Sequence, residues 1–348
     1  MQSPFYLDAF MLACPDSSSD INSFLTYIEN IISWNELRKY EWAKFFISQS
    51  ASIALVESKS YPLFDIIKKN IAQFNITHIQ AKDVSEIVTS FLTKACLIEE
   101  ELGIKELLIE NFNINPDPGI DRRIKPFPEH FQLLSILILL HCNYIPEILN
   151  QILITSNNIQ YTGIINITAT IPVLDKISSD VIPDSVSEPL SISGEFHICK
   201  CMHTLHLSLD PYYIWANANC NSALIKAIEL FVYQEQPRQG PYNNPIEHCN
   251  FMIGSKFFES CKHLNFNTDS RKIKMLLRTC SEVIFNKNTS DTHWLRVDRG
   301  ANSAQKTRGN DRAWRRDIDH EYHLHYWQTD NGPELASVVQ HNDFTIPI

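Results

Sequence analysis

The run FQLLSILILLHCNYI, residues 131–145, constrains this chain more than any other stretch. Its residues are apolar on nearly every side, so a helix built from it has no face to offer water. A membrane span needs roughly 20 such residues. This run has about fifteen, and His141 and Asn143 interrupt its end. The reading is a helix buried inside a large core, which 348 residues can supply. No membrane contact is expected.

The segments around that helix alternate in period. FYLDAFMLAC, residues 5–14, reads as a buried strand. SSSDINSFLTYIENIISW follows as a capped helix, with a Ser or Asp before the 3.6-period set Phe24, Ile28, Ile31 and Ile32. AKFFISQSASIAL reads as a strand and its exit, YPLFDIIKKNIAQF as an amphipathic helix, and DVSEIVTSFLTKACLIEEELG as a helix closed by Gly103. Such alternation over residues 1–150 points to an α/β domain. Beyond it, QILITSNN, YTGIINITATIPVL and SISGEFHICKCMHTLHLSL are β-branched and read as strands. YHLHYW, TDNGP and ELASVVQHNDFTI form a hairpin signal, because Asp-Asn-Gly supplies turn positions. The expected fold is therefore mixed α/β and α+β. An alternating domain over 1–150 precedes a β-rich region over 151–348 that ends in an antiparallel hairpin.

Composition removes several function classes. Only 9 glycines are present, with no G-x-G-x-x-G and no G-x-x-x-x-G-K-[ST], so no dinucleotide or P-loop cofactor is expected. The 9 cysteines are scattered without a C-x-x-C, as in a reduced cytoplasmic protein. The N-terminal residues lack the basic and apolar regions of a signal peptide. The abundance of Ile, Asn and Lys matches AT-rich bacterial genomes. Net charge is −10, yet residues 271–316 hold twelve Lys/Arg against four acids, a local surplus of +8. A basic region on an acidic body gathers anions to one place.

The basic region leads into RGNDRAWRRDIDHEYHLHYW, residues 308–327, with four arginines, three histidines and two tryptophans. At period two, His323, His325 and Trp327 share one strand face, and Leu324 and Tyr326 the other. The second hairpin strand adds His341. Metal-independent RNA cleavage needs such a set: two groups that titrate near neutrality to move protons, and a fixed cation for the phosphorane. His323 or His325 is the expected base, the other or His341 the acid, Arg315 or Arg316 the phosphate clamp, and Tyr326 a supporting donor. Arg296, Arg299, Lys306, Arg308, Arg312 and Arg316 are expected to bind nucleic acid, with Trp314 and Trp327 as stacking platforms. The expected partner is nucleic acid, RNA before DNA, and no cofactor or metal is required.

Residue types in this tail resemble the RelE/barnase-like ribonuclease toxins, in which a helix and a compact antiparallel sheet carry scattered Arg, His and Tyr. That resemblance implies RNA cleavage without a metal, and an effector of a bacterial toxin or antiviral defence system. Arg315 and His320 also match the R-x-x-x-x-H spacing of HEPN-type ribonucleases, which carry it on a helix. Asp8 within FYLDAFML and Ser48 within FFISQSAS resemble the opening strands of PIN-type nucleases. That similarity implies a divalent metal held by Asp8 with further acids such as Glu57, Asp83 or Asp117; the plainer reading is a strand-end cap. His197, Cys199, Cys201 and His203 have zinc-ligand chemistry but, in one strand, would spread over about 20 Å, too far for one ion. Arg122 and Arg123 read as a solvated loop pair, and Cys261 and His263 as too close in sequence for a catalytic dyad. Two alternatives stand beside the ribonuclease: a non-catalytic nucleic-acid-binding or assembly subunit of a defence complex, and a metal-dependent nuclease centred on Asp8.

Overall fold

The computed structural model describes residues 3–16, 18–39, 43–145, 151–156, 159–177, 181–183, 185–186, 188–235, 249–298, 300 and 303–348. The expected mixed α/β class is what the chain adopts, with twelve α-helices and three sheets among these residues. The chain divides into two compact units, residues 2–208 and 209–348. The division expected near residue 150 falls inside the first unit, because later strands join its sheet.

In the first unit the strands are β1 (Ser3–Leu7), β2 (Ala43–Ile47), β3 (Cys96–Leu97), β4 (Ile104–Leu107), β5 (Glu110–Asn115), β6 (Ile152–Ile154), β7 (Gly163–Ile171), β8 (Leu174–Lys176) and β9 (Leu190–Cys199). Seven of them form one sheet in the order β3-β2-β1-β6-β9-β7-β5, and β4 pairs with β8 separately. β3, β2, β1, β6 and β9 run parallel, while β7 and β5 are antiparallel additions. The chain winds outward from β1 to β3, then returns to place β6 on the other side of β1. The helix Phe127–Tyr144 holds the apolar run, and Leu134 and Ile136 to Leu140 are buried in the main core with Tyr6, Phe46, Leu153 and Ile165. The burial demanded by its lack of a polar face is thus met against the sheet.

Asp8 ends β1 rather than lying inside a longer strand. Its carboxylate accepts from the Phe10 backbone N–H at 3.2 Å and caps the short helix Ala9–Leu12. The same carboxylate accepts from Arg123 Nη1 at 2.6 Å and from Thr155 Oγ1 at 2.5 Å. Arg123 also donates to Thr155 and lies over the Phe10 ring, 4.6 Å from its centroid. Arg123 is therefore a buried structural cation, not half of a solvated pair; only Arg122 is exposed. Asp8, Arg123 and Thr155 are together the cap and the clamp at the point where β1 and β6 diverge.

A second polar chain runs beside it, and its proton order follows from its ends. The Ala9 N–H donates to His130 Nε2, so Nδ1 carries the ring proton and donates to Ser50 Oγ at 2.8 Å. Ser50 then donates to Ser48, and Ser48 to Glu99 Oε1 at 2.5 Å. Burial holds the His130 imidazole neutral, with its pKa pushed down to about 4. The PIN-like expectation for Ser48 and Asp8 meets this arrangement directly: the partners of Asp8 are a hydroxyl, a backbone amide and a guanidinium, and those of Ser48 are the Ser50 hydroxyl and the Glu99 carboxylate. Glu57, Asp83 and Asp117 are exposed, and none bonds to Asp8.

In the second unit the strands are β10 (Met252–Ile253), β11 (Thr292–Trp294), β12 (Thr307–Arg308), β13 (Asp311–Asp317), β14 (Tyr322–Thr329) and β15 (Gly332–Gln340). They form one sheet, β10-β15-β14-β13-β11, with β12 beside β13. The expected hairpin is β14–β15; Thr329 pairs with Gly332, whose φ of +103° suits the turn. The helix Ser270–Ile284, capped by Asp269, packs on one face of this sheet. The turn-rich segment 237–248 lies outside the described residues.

Removing one partner of a buried ion pair leaves an uncompensated charge. Asp8→Ala is expected to lower stability by about 3–5 kcal/mol in urea unfolding of the full chain followed by circular dichroism. A loss under about 1 kcal/mol would make the pair no more than a surface contact.

Candidate functional site

The register of the second sheet sorts the predicted residues between two faces. Arg315 pairs with His293 on one side and His325 on the other, and His325 pairs with Ser337. Asp317 pairs with His323, and His323 with Val339. These residues share the first face. Trp294, Trp314, Tyr326 and Leu335 form the matching row on the second face, flanked by Arg312 opposite Gln328. Ala336 is an extra residue in β15, a bulge that keeps Ser337 and Val339 beside the histidines.

On the first face the imidazoles gather as expected. The His323 ring lies 4.6 Å from that of His341 and 6.3 Å from that of His325, centroid to centroid. His323 and His325 are fully buried, whereas His293 and His341 are exposed. His323 Nε2 is 3.2 Å from Asp317 Oδ1 but out of line for a hydrogen bond. The buried polar atoms without a hydrogen-bond partner concentrate here: both His323 nitrogens, His325 Nε2, Arg315 Nε, Asp317 Oδ1 and Ser337 Oγ. Burial lowers the His323 pKa, the Asp317 carboxylate raises it, and Arg315, His341 and His293 lower it further.

The C-terminal segment covers part of this face. His325 Nδ1 donates to the Thr345 carbonyl at 2.7 Å, and Trp327 Nε1 to the Pro347 carbonyl at 2.8 Å. Lys306 Nζ donates to the Phe344 carbonyl at 2.7 Å. Phe344 and Ile346 pack on a small core of Leu295, Ala313, Trp327 and Ala336. His325 is thus anchored in the Nδ1–H tautomer, with its pKa pushed down to about 4, above all by burial. It holds the tail and is not free to exchange protons with a substrate.

Several predicted residues are elsewhere or already engaged. Arg316 lies on the second face, almost fully buried, donating to Glu282 at 2.6 Å and to Thr292 at 2.7 Å; it is no partner to Arg315. Tyr326 is also on the second face, and burial pushes its phenol up to about 12. Trp327 is core. Arg308 stacks on Trp327 and pairs with Asp311 and Glu334, whose hydrogen bond raises its pKa. Arg296 donates to the Ser303 carbonyl at 2.7 Å. Arg312 is exposed. Arg299 lies outside the described residues. A cavity of about 890 Å³ opens on the second face beside Trp314 and Tyr326, not over the imidazoles.

The remaining motifs carry no site. His197 and Cys199 end β9, but Cys201 lies in a turn and His203 in the helix Met202–Ser208, so the four do not share a strand. Among the described residues, no group of three or more His, Cys, Asp or Glu is placed to hold a metal ion. His320 sits in an exposed turn, so the R-x-x-x-x-H spacing lacks its helix. Cys261 is buried in the helix Phe257–His263 while His263 is exposed.

What sequence reasoning missed on the first face is His293, Asp317 and Ser337. Only the pairing of β11 with β13 brings His293 in; Ser337 shares the parity of His341 along the sequence, but only its pairing with His325 gives it a place in the cluster. Arg315 stands at the centre. Its guanidinium has no hydrogen-bond acceptor among the described residues and lies over the Phe344 ring at 5.8 Å. No family model, curated protein or solved structure matches the chain.

The buried His325 ring is neutral in the fold and charged when unfolded between pH 6.5 and 4. The unfolded chain takes up the extra proton in that window, so stability present above pH 6.5 is lost as pH falls toward 4. The shift corresponds to about 3 kcal/mol. His325→Asn should flatten the pH dependence of urea unfolding by a comparable amount; a slope identical to the parent's would mean the ring is not neutralised by burial.

Proposed function

We propose that the second unit binds the phosphodiester backbone of a nucleic acid, RNA before DNA, at Arg315 on the imidazole face. The observation that carries this reading is the guanidinium of Arg315, which has no acceptor of its own among the described residues and stands in a row with His293 and His325. A guanidinium presents a fork of donors that matches two phosphate oxygens. His293 and His341, both exposed, add donors at the rim. The local surplus of twelve Lys/Arg over four acids across residues 271–316 favours an anionic partner, even in an acidic chain. Backbone contacts of this kind position a nucleic acid and carry no sequence information by themselves.

A second reading, metal-independent cleavage, draws on the adjacent, mutually tilted rings of His323 and His341. His341 is exposed and able to meet a substrate, while His323 stands behind it with both ring nitrogens unbonded and Asp317 alongside. In this scheme His341 takes the proton of the 2′-hydroxyl as it attacks phosphorus and returns it to the leaving 5′-oxygen. Arg315 stabilises the phosphorane charge, and the His323 ring, in contact with that of His341, holds it in place. His325 and Tyr326 have no part in it, the first tied to Thr345 and the second on the opposite face.

Labelled single-stranded RNA and DNA, each with and without EDTA, separate the readings. Binding at Arg315 predicts that Arg315→Ala weakens RNA affinity and reduces the slope of log K against log salt by about one unit. An unchanged slope would place the phosphate elsewhere. Cleavage predicts product from RNA alone, insensitive to EDTA and lost in His341→Ala with affinity retained. Product from DNA, or product lost in EDTA, would contradict the metal-independent scheme.

A further inference from the structure

The second face of the same sheet carries a site that none of the described histidines lines. Trp314 and Tyr326 lie side by side across β13 and β14 and line the cavity of about 890 Å³. That volume falls in the roughly 300–1,000 Å³ range of small-molecule sites. Carboxamides surround the two rings: Asn250, Asn286, Gln328 and Asn331. Those of Asn250, Asn286 and Asn331 make no hydrogen bond among the described residues. Among the described residues Asp330 is the single ionisable carboxylate on the wall, and Val283 and Ile284 supply an apolar side.

We infer that this cavity binds a nucleobase, stacked against Trp314 and Tyr326 and read by the carboxamides around them. Each feature answers to the chemistry of that ligand. A base is planar and offers a π-face to an aromatic ring. Its edge alternates donors and acceptors, which a carboxamide matches because it carries both on adjacent atoms. It has no net charge, and among the described residues the lining holds neither an arginine nor a lysine to demand one. The surroundings decide between a base and another neutral, flat ligand such as a sugar ring. Trp294, half exposed, continues the aromatic row beyond Trp314. Arg312, exposed and opposite Gln328, stands on the same face where a phosphate attached to the bound nucleoside would emerge. A stacking row flanked by a free guanidinium suits a single-stranded chain, not an isolated saccharide.

The inference rests on the nucleic-acid reading only for the choice of ligand; the cavity and the Arg315 cluster lie on opposite faces. The edge strand β11 joins them, since His293 faces the imidazoles and Trp294 the aromatic row.

The test uses phosphate-free probes, so that Arg315 has nothing to hold. Adenosine and uridine, with a chitin oligosaccharide as the competing class, are titrated into the full chain and followed by tryptophan fluorescence. Nucleoside quenching is expected, with affinity reduced at least about fivefold in Trp314→Ala, largely kept in Trp314→Phe, and unchanged in Arg315→Ala. Gln328→Ala, at an exposed position outside the core, should alter the preference between the two nucleosides and guards against misfolding of the tryptophan variant. Absence of nucleoside binding, binding of the oligosaccharide instead, or nucleoside affinity indifferent to both Trp314→Ala and Gln328→Ala would overturn the inference. If nucleosides fail while RNA still binds through Arg315, the base site falls and the phosphate site stands. If nucleosides bind and Arg315→Ala leaves RNA affinity intact, the reverse holds.

Discussion

The pairing of Arg315 with His325, and of Asp317 with His323, is the constraint on which the second unit's chemistry depends. Side chains alternate across a strand with period two, so a slip of one residue would exchange the faces wholesale. Arg316 would then stand among the histidines, and Arg315 would face Glu282. The bulge at Ala336 protects that arrangement on the third strand: without it, Ser337 and Val339 would leave the imidazole face. The ion pair of Arg316 with Glu282 adds to the pinning, since it locks β13 to the helix behind the second face.

Two costs accompany this register. Polar groups buried without a partner each forfeit their hydration, and six such atoms lie on one face of one small sheet. The C-terminal segment offsets part of that by supplying carbonyls to His325, Trp327 and Lys306. It leaves His323 and Arg315 unanswered. A fold that needed only stability would place apolar residues there, as it does one strand position away at Leu324 and Val338. Unsatisfied polar clusters are a common mark of functional positions.

The sequence was informative where a periodicity was local. It placed His323, His325 and Trp327 on a common face, separated Tyr326 from them, identified the β14–β15 hairpin from Asp-Asn-Gly, and required burial of the run at 131–145. It failed where a long-range partner decides the outcome. Asp8 caps the helix after β1 through the nearby Phe10 N–H, as the plainer reading expects, but its clamp to Thr155 and Arg123, far along the chain, leaves no local signal. Arg123 read as solvated for the same reason. Cys201 and His203 followed β-branched residues and read as strand, yet the chain turns after Cys199 and enters a helix. Of the cationic residues expected to meet nucleic acid, Arg296, Lys306, Arg308 and Arg316 are bound to the protein itself, because residue type alone does not say which acceptor lies nearby. The aromatic cavity was invisible, since its carboxamides come from separated segments and carry no spacing.

The central claim is that a phosphodiester settles between Arg315 and the imidazoles beside it. Selective labelling of the histidine rings and observation by NMR during addition of a short single-stranded RNA tests it most directly. The account predicts that the His341 and His293 ring signals move first, that the His323 signal follows, and that all three stay still in Arg315→Ala. Movement confined to other histidines, or an equal response in the arginine variant, would contradict it.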